Sequence, residues 1–135
     1  MINITIINGP NLNLLGKREP GVYGTASFDD CLADLIQKYP SVHFTYFQSN
    51  IEGEIVDAIQ KAGFEQDGII INPAAYTHTS VAIGDAIAAI QTKVIEVHIS
   101  NVHAREDFRK ISHVSSKVVG SIVGLGLQGY ALATE

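Results

Sequence analysis

The sequence predicts an α/β protein, a three-layer sandwich with helices on both faces of a five-stranded parallel sheet. Three observations carry that reading. Short apolar runs alternate with amphipathic stretches of helical period along the whole chain. One run, GIIIN, is apolar up to its final Asn, as strands buried on both faces are. The connections between runs are long enough for crossover helices. With five strands, the flavodoxin-like order 2-1-3-4-5 fits best.

The elements follow in order. Ile2 to Asn8 (INITIIN) reads as the first strand. Ser27 caps a helix, FDDCLADLIQKY, with acids in its first turn and Pro40 beyond its end. Val42 to Gln48 is the second strand. Asn50 caps a second helix, IEGEIVDAIQKAG, which stops at Gly63. Gly68 to Asn72 (GIIIN) is the third strand, buried on both faces. Thr79 or Ser80 opens a third helix, VAIGDAIAAIQ. Val94 to Ser100 is the fourth strand, residues 117 to 123 the fifth, and a short helix ends the chain.

At 135 residues the chain is one domain's worth, long enough to hold a real core. Apolar residues make up 46% and charged residues 17%, which excludes a disordered chain. No apolar run reaches the length of a membrane span. The opening MINITIIN has no basic region or small-residue cleavage site, so it does not read as a signal peptide. One cysteine, Cys31, permits no internal disulfide, reads as packing on the first helix, and points to the cytoplasm. A net charge of -5 argues against nucleic acid as a partner.

In such a fold the place to look is the carboxyl ends of the strands. Gly9 to Gly24, after strand 1, is a long connection carrying Asn11, Asn13, Arg18 and Tyr23. Loops of that length in a small domain are usually functional, although a plain surface loop is the alternative. After strand 3, Pro73 forces Asn72 to be extended and points it out of the strand end. A simple turn-forming Asn remains the other reading. In strand 4, Val94, Glu96 and His98 share one face. An acid and a histidine break the apolar pattern of a central strand. At roughly 7 Å along the strand the carboxylate can set the tautomer of the imidazole. A purely structural polar pair is the alternative. All three arginines, Arg18, Arg105 and Arg109, fall in strand-end loops, a local cationic site in an acidic chain or chance placement.

Other signals carry less. Gly124 to Gly129 matches GxGxxG, but too few residues follow for a dinucleotide site, so these glycines read as close-packing positions. His78, Asp85, Glu96, His98 and His103 lack any strong metal-ligand spacing. No lysine falls in a strand interior, where burial would suit it to imine chemistry. His43 and His113 read as ordinary surface or strand residues. What remains is a Tyr beside an Arg, a Glu-oriented His and several Asn, a set suited to proton transfer with donors for an oxyanion. A tyrosine base needs a neighbouring cation, and Arg18 is the candidate.

Three segments, NGPNLNLLGKREPGVYG, INPAAYTHTSVAIGDAI and VIEVHISNVHAREDFR, resemble type II 3-dehydroquinate dehydratase, and the resemblance runs from about residue 4 to residue 130. It implies a cofactor-independent, metal-free lyase of the shikimate pathway. Such an enzyme eliminates water anti from 3-dehydroquinate, through an enolate, to give 3-dehydroshikimate. On matching positions it implies Tyr23 as the base at carbon 2 and Arg18 as the group that holds it as tyrosinate. It implies Asn11 as the anchor of a water on the enolate oxygen. His98, oriented by Glu96, is the acid for the departing hydroxyl. Asn72 and the backbone at Ile99 and Ser100 hold the substrate carboxylate, and His78, Asp85 and Arg109 read the ring hydroxyls. The resemblance further implies a single catalytic domain over residues 1 to 135, with a lid at about 9 to 24. It also implies a homo-dodecamer of four trimers, in which Asp85 reaches a neighbour's site. A mean hydropathy of +0.16 fits oligomerisation. The stretch Ile111-Ser112-His113 and the short tail after Tyr130 depart from the family and are expected to touch none of the motif residues. Two other classes compete: a non-catalytic module holding a flavin or small anion, and a metal-dependent hydrolase.

Overall fold

The computed structural model describes residues 1–17 and 27–135. Arg18 and Tyr23 lie outside the described residues. Strand β1 (Ile2–Asn8) is followed by a 3-10 turn (Leu12–Leu14), and then, in chain order, by helix α1 (Phe28–Lys38), β2 (Val42–Gln48), α2 (Glu52–Ala62) and β3 (Gly68–Asn72). A 3-10 turn (Ala74–His78) leads to α3 (Val81–Ala89) and β4 (Lys93–His98). Two further turns, Val102–Ala104 and Asp107–Lys110, precede β5 (Gly120–Val123) and α4 (Gln128–Thr134). The sheet order is β2-β1-β3-β4-β5, with every pairing parallel, as the alternation predicts.

The two faces of the sheet bury separate apolar layers. Ile4, Ile6, Ile70 and Val97 pack with Phe28 and Leu35 of α1 and Tyr130 of α4. Ile7, Ile69, Ile71 and Val94 pack with Ile55 and Ile59 of α2 and Ile83 and Ile87 of α3. Successive strand residues alternate between these layers, as the pleat requires. Ile69, Ile70 and Ile71 are all buried, which is why GIIIN has no polar phase.

Side-chain caps fix the starts of two of the four helices. Ser27 caps α1 in a reciprocal box: its Oγ accepts from the Asp30 amide, and Asp30 accepts from the Ser27 amide, both at 3.3 Å. Ser80 caps α3 by accepting from the Ile83 amide at 3.0 Å. The expected Asn50 cap of α2 is not made. Ile51 occupies the cap position, and Asn50 Oδ1 accepts instead from the Asn11 amide at 3.0 Å and from Gln48 Nε2 at 3.3 Å. Gly63 does end α2, but at φ -64 it is not left-handed. A Cβ there would lie 2.2 Å from Ile90 Cγ2, so close packing is what requires the glycine.

The last two strands are shorter than expected. β4 stops at His98, leaving Ile99 and Ser100 past the strand, and β5 begins at Gly120, not at 117. β5 ends at Val123 opposite His98, and Gly124 turns away at φ 85, so the strand pairing stops before Ile99, whose carbonyl accepts instead from the Gly126 amide at 3.1 Å. The GxGxxG glycines are therefore not all packing positions. Gly126 stands in open space and serves its positive φ of 64, whereas a Cβ on Gly129 would press on Val97 at 3.0 Å. Cys31 is buried, and its thiol is pushed up to about 11, first by burial and then by Asp34, which fits packing.

Candidate active site

The carboxyl ends of β1, β3 and β4 open on one pocket. Asn11, Asn72, His78, His98, Ile99, Ser100 and Arg109 line it together, as expected, and Arg105 joins them. Glu96 stands behind His98, and Asp85 lies exposed on α3, away from this pocket.

The centre of the site is the pair on β4. Glu96 is completely buried and His98 is 7% exposed. His98 Nε2 bonds Glu96 Oε2 at 2.5 Å. Glu96 also accepts from Thr77 Oγ1 at 2.7 Å, from Ser115 Oγ at 2.7 Å and from Ser121 Oγ at 3.3 Å. Burial by itself would push the Glu96 carboxyl up. The bonds from His98, Ser115 and Thr77 outweigh it and hold the group below its ordinary value. An ionised Glu96 accepts only, so the His98 Nε2 carries a hydrogen, and Nδ1 is the nitrogen left to exchange a proton with a ligand.

His78 is oriented from the other side. Its Nδ1 lies 2.6 Å from the Ile111 carbonyl, which can only accept, so Nε2 is the nitrogen available to a ligand. Burial lowers the His78 pKa from its ordinary value, and nearby His98 and Arg109 add to that, against the opposing carbonyl bond. A neutral His78 presents an acceptor, which suits a ring hydroxyl. Arg109 is held by Glu106, with Nε to Oε2 at 2.6 Å, and lies 4.9 Å from the Phe108 ring centroid.

The backbone supplies donors. The amides of Ile99 and Ser100 donate to no described residue and sit at the pocket wall, a place for a carboxylate. Asn11 adopts a left-handed φ of 71, pinned by Asn50, and its side chain is exposed at the pocket rim. Ala74 is also left-handed, at φ 53, and its amide donates to Asn72 Oδ1 at 3.0 Å. An alanine there costs about 1 kcal/mol of strain.

Asn72 differs from its expected pose. It is buried, and its side chain turns inward as well as lining the pocket: Nδ2 donates to Tyr130 Oη at 3.1 Å. Tyr130 in turn donates to Asn8 Oδ1 at 2.8 Å. Beyond Tyr130, the side-chain hydrogen bonds of the tail involve Tyr39 and Tyr130, neither of them a motif residue. The stretch after Arg109 does touch motif residues, contrary to expectation, because Ile111 bonds His78, and Ser112 Oγ lies 2.6 Å from Thr77 Oγ1. Sequence reasoning missed Tyr130, Asn50 and the hydroxyls around Glu96, and it named Arg105 only as part of the cationic cluster. Replacing Tyr130 with Phe leaves Asn8 Oδ1 and Asn72 Nδ2 without their partner inside the core. The expected result is a loss of about 2 kcal/mol in stability, read by urea unfolding, with a rise in KM as Asn72 loosens.

The geometry is matched by kinship. A model of the family described as dehydroquinase class II matches residues 2–135. The chain is 54% identical over 138 residues to a 3-dehydroquinate dehydratase of Fusobacterium nucleatum, covering 98% of this chain and 93% of that one. It is also 54% identical over 135 residues to a catabolic 3-dehydroquinase of Aspergillus clavatus, covering 98% and 89%. The crystal structure of a type II dehydroquinase from Butyrivibrio crossotus superposes with a TM-score of 0.94 at 48% identity, covering 98% of this chain and 94% of that one. With the sheet order, the oriented histidine and these likenesses in agreement along nearly the whole chain, the protein belongs to the class II dehydroquinase family.

Proposed function

We propose that this enzyme removes water from 3-dehydroquinate to give 3-dehydroshikimate, a step of the shikimate pathway toward chorismate and the aromatic amino acids. The observation that carries the reading is the Glu96–His98 pair beside two backbone amides that donate to no described residue, in a chain of this family. The ketone at carbon 3 acidifies the proton on carbon 2. Tyr23, held as tyrosinate by Arg18, takes that proton. The electron pair moves into an enolate, whose oxygen is met by a water anchored on Asn11. The enolate then collapses, the bond from carbon 1 to its hydroxyl breaks, and His98 Nδ1–H delivers the proton that makes the leaving group water. Glu96 remains an anion throughout and balances the imidazolium.

The amides of Ile99 and Ser100, with Asn72, receive the substrate carboxylate, and His78 and Arg109 read ring hydroxyls. Asp85 serves a neighbour's site in a dodecamer of four trimers. Its exposure on α3, outside its own pocket, supports this, as do the exposed apolar Val81, Ile111 and Val119. The single domain works with residues 9 to 24 as a lid, in the cytoplasm. Among the described residues no helix is long and apolar enough to cross a membrane.

The test is an ultraviolet assay of the conjugated enone product, run with chelator and again after borohydride treatment in the presence of substrate. Turnover unaffected by either supports the reading. Loss with chelator points to a metal-dependent route, and loss with borohydride to a lysine imine. No turnover in a folded sample overturns the enzyme assignment.

A further inference from the structure

Glu96 is surrounded by hydroxyls from three separate segments. Oε2 takes His98 Nε2 at 2.5 Å and Thr77 Oγ1 at 2.7 Å, and Oε1 takes Ser115 at 2.7 Å and Ser121 at 3.3 Å. A carboxylate has about four acceptor positions, and all of them are occupied. The proton directions then follow. Thr77 uses its one hydroxyl proton on Glu96, so in the 2.6 Å contact between Thr77 and Ser112 the donor is Ser112. Ser112 Oγ in turn accepts from the amides of Val114 at 3.1 Å and Ser115 at 3.0 Å, which fix the oxygen in place. Its 3.0 Å approach to Ser115 Oγ is secondary, because the Ser115 proton points to Glu96. The result is a directed chain from Ser112 to Thr77 to Glu96, ending on Oε2, the same carboxylate oxygen that His98 bonds.

The backbone beside Ser112 binds the same site. The Ile111 carbonyl accepts from His78, and the His113 amide donates to the Thr77 carbonyl at 2.7 Å. One short segment thus braces both pocket histidines, and neither Ser112 nor Thr77 lines the pocket itself.

We propose that Ser112 and Thr77 are positioning residues for proton donation by His98: their hydroxyl chain keeps Glu96 a saturated acceptor, which fixes Nε2–H and leaves Nδ1 to deliver the proton. This rests on the dehydration reading above. Among the described residues, the charged and titratable groups around His98 are Glu96 on its own strand, His78 on the turn after β3, and Arg105 and Arg109 on the loop after β4. His78 is held by the Ile111 carbonyl and Arg109 by Glu106, so removing a hydroxyl leaves both in place. Loss of the hydroxyl chain lets Glu96 draw the Nε2 proton, which leaves a neutral imidazole whose Nδ1–H is a much poorer acid, whereas proton removal at carbon 2 does not pass through this pair.

The experiment compares wild type with Ser112→Ala, Thr77→Val and Thr77→Ser. Dehydration is followed by absorbance, and solvent deuterium entering carbon 2 of unreacted 3-dehydroquinate by proton NMR. For Ser112→Ala and Thr77→Val the expected result is a kcat lower by about tenfold with KM little changed. The ratio of exchange to dehydration should rise by a similar factor, and Thr77→Ser should restore both. Equal losses of exchange and dehydration, or an unchanged ratio, overturn the relay and leave these hydroxyls merely structural. Should Thr77→Val fail to fold, Ser112→Ala decides alone, since it keeps the Ile111 carbonyl and His113 amide bonds to the turn after β3 and loses, besides the hydroxyl chain, only the acceptor for the Val114 and Ser115 amides and the secondary contact with Ser115 Oγ. A wild type without turnover would remove the underlying reading instead, which separates the two failures.

Discussion

Replacing His98 with alanine is expected to lower kcat by about a thousandfold while deuterium exchange at carbon 2 continues. General acids of this kind contribute roughly 10²- to 10⁴-fold, so the expected loss lies in mid-range. The fold should survive. His98 supplies one of the donors to Glu96, and Thr77, Ser115 and Ser121 keep the carboxylate solvated after it is gone. That distinguishes this pair from an isolated buried ion pair, where removal of one partner strands the other charge. His98→Gln sharpens the test, because an amide can still donate toward Glu96 but has no proton to hand over. Exchange without net dehydration in both variants confirms the acid. Loss of exchange in step with dehydration would move His98 to the proton-abstraction step and sink the assignment.

How much of this was visible in the sequence depends on whether a feature is periodic. β1, β2 and β3 take the bounds read from their apolar runs, because strand pleating writes itself directly into alternation and burial. Glu96 and His98 stood out for the same reason in reverse, as polar residues where the pattern demands apolar ones. The pocket members Asn11 and Arg109 were legible because strand-end loops converge in a parallel α/β fold, whereas a site role for His78 came only from the family resemblance. The hydroxyl cage was not. Thr77, Ser112, Ser115 and Ser121 come from the turn after β3, the segment before β5 and β5 itself, and serine and threonine are ordinary loop residues with no spacing to read. Tyr130 was hidden for a similar reason: its partners Asn8 and Asn72 lie 122 and 58 residues away.

The misread ends have a common cause. Cap and strand limits were judged from neighbours in sequence, but tertiary partners decided them. Asn50 has a good cap side chain, yet that oxygen holds the Asn11 amide and so shapes the pocket rim. Ile99 and Ser100 have strand-like composition, yet β5 turns off at Gly124 and leaves their amides without ladder partners. In both places a local preference gives way at the site, which is where such conflicts are expected to collect. Asp85 is a different case. Its assigned role needs a neighbouring subunit, and within one chain it is simply an exposed acid on α3.

Tyr23→Phe should abolish exchange and dehydration together, each by a thousandfold or more. The substitution keeps the ring and removes only the oxygen, so binding and folding are spared and the base alone is lost. The contrast with His98→Ala is the informative part. Proton abstraction precedes departure of the hydroxyl, so a missing base blocks everything downstream, while a missing acid leaves the enolate free to form and return. Arg18→Lys should resemble Tyr23→Phe in this partition, though less severely. A lysine keeps the charge but not the planar donor fork, and it is more strongly hydrated, so it holds a tyrosinate less well. An arginine that acted only on the leaving hydroxyl would instead give the His98→Ala pattern. Full activity in Tyr23→Phe would remove the tyrosine base, and the proton at carbon 2 would then have to go to another pocket group, with His78 Nε2 the first to test.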